Sequence, residues 1–94
     1  MKLIRISKST NPSKKYDAFI DVNGKERKVS FGASGMSDFT IHKDEERKKR
    51  YIERHKENEN WSDPLSAGFW SRWYLWNLST KEASLRYIKE RFNL

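Results

Sequence analysis

Ninety-four residues, 35% of them apolar and 35% charged, make one small domain with a rich surface and little aliphatic material for a core. The formal charge is +7 and there is no cysteine, which excludes a disulfide scaffold and zinc sites built on thiolates. The first residues carry too short an apolar run for a signal peptide, and no stretch approaches the ~20 apolar residues that span a bilayer. Aromatics make up 14% of the chain and supply the ring area a small core needs, so a folded domain over residues 1–94 is expected.

The N-terminal third reads as β structure. Leu3 to Ile6 is a short strand, and Ser9 to Ser13 is a turn cluster. Lys15 to Val22 alternates and is followed by Asn23-Gly24, the strongest short hairpin signal, because a type I′ turn needs positive φ at both central residues. That turn sets Val22 against Lys25, Ile20 against Arg27, Ala18 against Val29 and Tyr16 against Phe31. Tyr16, Ala18, Ile20, Val29 and Phe31 then share one face. Asp17, Asp21, Glu26, Lys28 and Ser30 share the other, with Phe19 as an exposed ring among them.

A connector with two glycines runs from Phe31 to Thr40. Asp44 is placed to cap a helix from Glu45 to about Asn58, with Glu45 and Glu46 at its positive end and Tyr51, Ile52 and His55 as a thin apolar stripe. Asp63-Pro64 reads as the next helix start, Asp as cap and Pro as first residue, with the helix running through the aromatics to about Asn77. Phe69, Trp70, Trp73, Tyr74, Leu75 and Trp76 wrap most of its circumference, so it is either central or awaiting a partner. Ser79-Thr80-Lys81-Glu82 fits a capping box that opens a last helix to about Phe92. The expected fold is α+β. An N-terminal antiparallel hairpin or three-stranded meander (1–31) is followed by three α-helices (44–92), the central one Trp-rich.

No catalytic constellation is present. No serine sits in a Gly-x-Ser-x-Gly elbow, and the carboxylates lie in charge-balanced helical stretches where solvated ion pairs are the default. His42 and His55 match no metal-ligand spacing, so neither a metal nor a cofactor is expected. His55 is expected at a helix edge and His42 in a hydrogen bond near the connector. Gly32-Ala33-Ser34-Gly35 lacks the ending of a phosphate-binding loop and reads as a turn.

Two surfaces remain. Residues 1–30 hold eight Lys/Arg against three Asp/Glu, whereas residues 31–60 hold seven of each. Lys14, Lys15, Lys25, Arg27 and Lys28, with Lys2, Arg5 and Lys8 adjacent if the first strand joins the sheet, could neutralise backbone phosphates, with Phe19 adding a ring for base stacking. The same lysines would also guard an exposed sheet edge. The second surface is aromatic. Such a cluster is most often core, but a domain this size rarely needs four tryptophans inside, and Trp and Arg dominate protein interfaces, which points to Trp70, Arg72, Trp73, Tyr74 and Trp76 for partner contact.

The segments Lys15-Tyr16-Asp17-Ala18, Phe31-Gly32-Ala33, Ser37-Asp38-Phe39-Thr40 and His42-Lys43-Asp44, with the later Arg50-Tyr51-Ile52, Asn60-Trp61, Ala67-Gly68, Ser71-Arg72-Trp73 and Leu75-Trp76-Asn77, form a combined pattern over residues 14–78. It resembles a family of small proteins encoded by large double-stranded DNA viruses of the algal-virus type. The resemblance implies a viral context, in the virion or the host cell interior, and no site residues. The leading expectation is a non-enzymatic virion protein, a minor capsid or capsid-associated component that contacts other virion proteins. The alternative is a sequence-nonspecific nucleic-acid-binding protein that compacts or escorts viral DNA.

Overall fold

The computed structural model describes residues 1–94 and is an α+β domain. Strands β1 (Lys2–Lys8), β2 (Lys14–Val22) and β3 (Lys25–Ala33) form an antiparallel meander in the order β1-β2-β3. The hairpin has the register that alternation dictates, including Ala18 opposite Val29 and Tyr16 opposite Phe31. Asn23 and Gly24 take φ of 54° and 86°, as a type I′ turn requires. A register shift between Leu3 and Arg5 lets both Leu3 and Ile6 lie over β2, opposite Ile20 and Ala18, while Ile4 stays exposed. At the far end of β3, Gly32 has φ of 80° and no room for a side chain, since a Cβ there would lie 2.9 Å from Leu75 Cδ1.

The other face of the sheet is covered at one point by its own loop. Asp17 is buried there, accepting the hydroxyls of Ser9 at 2.7 Å and Ser30 at 2.6 Å and the Thr10 N–H at 3.2 Å. Burial alone would raise its pKa. The hydrogen bonds from Ser30, Ser9 and Thr10, with the charge of Lys28, outweigh burial and hold the carboxyl below its ordinary value.

The connector holds a short helix that the sequence did not suggest, α1 (Phe39–His42). Asp38 caps it by accepting the Thr40 N–H at 2.9 Å, and Lys43 closes it in the left-handed region. Helix α2 (Glu45–His55) starts where expected, with Asp44 accepting the N–H groups of Glu46 and Arg47. It stops three residues short of Asn58, and Tyr51 is its one buried side chain.

The Trp-rich segment departs from the expected helix. Asp63 accepts the N–H of Leu65 at 3.0 Å, two residues on, and closes a local turn. The carbonyl of Pro64, which a helix starting there would need for its own backbone, accepts the Trp70 indole N–H at 2.7 Å. The helix α3 therefore begins later, at Ala67–Trp70, with Ser66 as its cap. It widens at once into a π-helical turn, Ser71–Leu75, closed by the Trp76 N–H on the Ser71 carbonyl at 3.0 Å. Helix α4 (Lys81–Phe92) ends as expected, but Thr80 is its cap and accepts the Ala83 N–H, so the box centred on Ser79 does not form.

The core lies between the sheet and this aromatic turn. Ala18, Ile20, Val29 and Phe31 meet Phe69, Trp70, Tyr74 and Leu75, with Ile88 of α4 completing the cluster.

Candidate binding site: two clefts that share an ion pair

The aromatic segment is largely turned inward. Trp70 is fully buried, Tyr74 is 9% exposed, and Trp61, Trp73 and Trp76 are half-buried. Three of the four indole N–H groups bond within the chain: Trp61 to Glu59, Trp70 to Pro64 and Trp73 to the Trp61 carbonyl. Arg72 donates to the Trp76 carbonyl at 2.8 Å, and its guanidinium lies 4.3 Å from the Trp73 ring centre and 5.4 Å from that of Trp61. Burial pushes the Tyr74 hydroxyl up to about 12, helped by Tyr16 and Glu82. Trp70, Arg72, Trp73, Tyr74 and Trp76 therefore do not form one presented face. The reason is compositional: with few aliphatic residues, indole and phenyl rings must fill the interior that leucine and valine usually fill.

The basic residues of the hairpin are divided. Lys25 and Arg27 alternate with Val29 and Phe31 and so lie on the core side near the turn, whereas Lys28 lies on the opposite face across from Phe19. Lys14 and Lys15 are at the other end of the ribbon, about 25 Å away at the usual rise of a strand. Phe19 is not a free stacking surface. The Arg5 guanidinium covers it at 4.0 Å and also pairs with Glu26 at 3.7 Å. The expected patch of Lys14, Lys15, Phe19, Lys25, Arg27 and Lys28 is thus not continuous.

Cations do converge elsewhere. A cleft of about 320 Å³ is bordered by Lys8 at the end of β1, Lys14 and Lys15 at the start of β2, and Lys81 at the start of α4, with Ser34 and Thr40 beside them. Lys15 is neutralised by Asp38 at 2.5 Å, a pair almost wholly removed from solvent. Asp38 can hold this place because it also caps α1 and accepts the Thr40 hydroxyl. Lys8, Lys14 and Lys81 have no acidic partner. The Lys81 ammonium sits 5.8 Å from the Tyr16 ring centre, within cation–π range.

A second cleft, of about 470 Å³, opens on the other side of the same ion pair, and Lys14, Lys15 and Asp38 stand in the wall of both. Its other wall is a column of stacked rings. Trp76 stacks on Tyr51 at 4.3 Å with planes 2° apart, and Tyr51 stacks on His55 at 4.4 Å. His55 Nδ1 meets Glu59 at 3.2 Å, and Glu59 is held in turn by the Trp61 indole. Gly68 lies against this carboxylate, and a Cβ there, 3.1 Å from the Glu59 carboxyl carbon, would oblige Glu59 to shift. Burial, reinforced by Glu59, pushes the Tyr51 hydroxyl far above its ordinary range, so the ring is a neutral wall. His42 closes the far end of the column, 5.2 Å from Trp76, with its Nδ1 accepting the Asp44 N–H.

Chemically, the arrangement offers free cations in one cleft and stacked rings in the next. No group of three or more His, Asp or Glu side chains is poised around a common point. Sequence reasoning placed Lys14 and Lys15 at the site but missed Lys81, which read only as a helix start. The His55–Glu59 spacing, four apart, was the one local signal for the second cleft.

Residues 4–55, more than half of the chain, match a family described as "Family of unknown function (DUF5754)". The chain belongs to this family. The matched stretch carries the meander from Ile4 onward, α1 and α2, and with them Lys8, Lys14, Lys15 and Asp38; the Trp-rich turn and Lys81 lie beyond it. No curated protein and no solved structure matches the chain.

Proposed function

We propose that this protein is a non-enzymatic, sequence-nonspecific nucleic-acid-binding protein that engages backbone phosphates through the lysine cleft. The supporting observation is the convergence of Lys8, Lys14 and Lys81, from three separate elements, around one cleft with no acidic partner for any of them. Such cations lose little by leaving water for phosphate oxygens and gain the entropy of released counterions. The viral resemblance supplies the proposed setting, compaction or escort of viral DNA.

Neutralising Lys8, Lys14 and Lys81 to glutamine together is expected to weaken DNA binding at least about tenfold near 0.1 M salt. The slope of log affinity against log salt should flatten by about two units for a single strand. The matching change at Lys25, Arg27 and Lys28 should have a clearly smaller effect. A larger effect at the hairpin tip, or no salt-dependent binding at all, would refute the assignment.

A second reading keeps the virion component making protein–protein contacts. Exposed Met36 and Ile41, 65% and 62% accessible, favour it as apolar contact points beside the clefts. Its expected result is abundant protein in purified virions by quantitative mass spectrometry, and absence there removes it.

A further inference from the structure

The lysine cleft and the aromatic cleft are two lobes of a groove divided by Lys14, Lys15 and Asp38, which line both. A duplex lying across it would present phosphates and base edges but no ring faces, because its bases are paired and stacked inside. A single strand presents phosphates for the cations and unpaired ring faces for the aromatic side chains. The ring column is built to be extended. His55 stacks on Tyr51 through one face, no other aromatic ring of the chain lies against it, and its side chain is 38% exposed. Glu59 fixes the imidazole from its edge, which leaves ring stacking as the interaction still open. Arg54, next in chain to His55, borders the same cleft without an acidic partner and adds a cation beside the column. The cleft's volume of about 470 Å³ lies in the range that encloses small planar ligands.

We infer that the groove takes single-stranded nucleic acid, with one base stacked on His55 at the end of the Trp76–Tyr51–His55 column and the neighbouring phosphates held among Lys8, Lys14 and Lys81. This deepens, and rests on, the nucleic-acid reading proposed above. The buried Lys15–Asp38 pair then acts as the divider that sets backbone on one side and base on the other. Stacking of this kind reads no sequence, because every base has a ring face.

The test is fluorescence anisotropy of the full chain with three labelled polymers of equal length at one salt concentration: oligothymidylate, an abasic strand, and a duplex. Oligothymidylate should bind about 5- to 150-fold more tightly than the abasic strand, the range expected for one stacked base. His55→Ala should bring oligothymidylate close to the abasic level and leave the abasic affinity unchanged. If the abasic strand and the duplex bind the unaltered protein as well as oligothymidylate does, the single-strand inference is overturned while phosphate binding stands. If none of the polymers binds, or if the triple lysine variant binds all three normally, the underlying reading falls as well. The comparison among polymers on the unaltered protein needs no variant, so a folding defect in His55→Ala cannot mask the answer.

Discussion

Replacing Trp70 with alanine is expected to lower the unfolding free energy by about 3–5 kcal/mol. The indole is fully buried, packs edge-on to Phe69 at 5.0 Å and lies 6.1 Å from Phe31. Its N–H also holds the Pro64 carbonyl that defines where α3 begins. A domain of this length has roughly 5–14 kcal/mol in total, so the substitution removes between about a fifth and all of the stability. Urea titration followed by circular dichroism measures it. Trp70→Phe separates the two contributions, since it keeps most of the ring volume but strands the carbonyl. A loss under about 1 kcal/mol for the alanine variant would mean that the indole is not a core residue and would restore it as a partner contact.

Asp17→Asn is expected to cost about 2–3 kcal/mol at neutral pH, because it removes a charged acceptor from three donors in a buried site. The pH dependence follows from the direction of the shift. The folded-state pKa lies below the unfolded value near 3.8. The stabilisation is therefore fully present above that unfolded value and is lost as pH falls through the lower folded-state pKa. Urea midpoints of the two proteins should differ by a constant amount from neutral pH down to about 5 and draw together below about 4. A difference that persists unchanged into strong acid would show that the charge on Asp17 is not what secures the loop.

Much of the fold was written in local signals. Asn23-Gly24 with alternating flanks fixed the hairpin because turn chemistry and side-chain period agree. Asp44 announced α2 through its own hydrogen bonds. The Trp-rich segment misled because its start signal, Asp63-Pro64, was overridden by two side chains. Asp63 satisfied a nearer N–H, and Trp70 took the carbonyl that the helix would have used. Neither competitor is visible in propensities, and the π-helical turn has no sequence signature of its own.

The site was less legible for a related reason. Lys14 and Lys15 stood out as charge, but only packing brings Lys8 and Lys81 beside them. Phe19 seemed free on the hairpin because the hairpin alone does not contain Arg5. The aromatic surface was overestimated because counting rings says nothing of how many a core short of aliphatic residues will consume.

The meander order has a kinetic consequence. Each strand pairs only with its neighbour in the chain, so the sheet closes through a two-residue turn and a short loop, on the microsecond scale typical of hairpins. The pairings within the sheet are therefore local, whereas the contacts that join the aromatic turn and the last helix to it are long-range. Because Lys81 belongs to that helix, the lysine cleft is complete only when the helix is docked on the sheet, and a chain with the sheet alone would lack it.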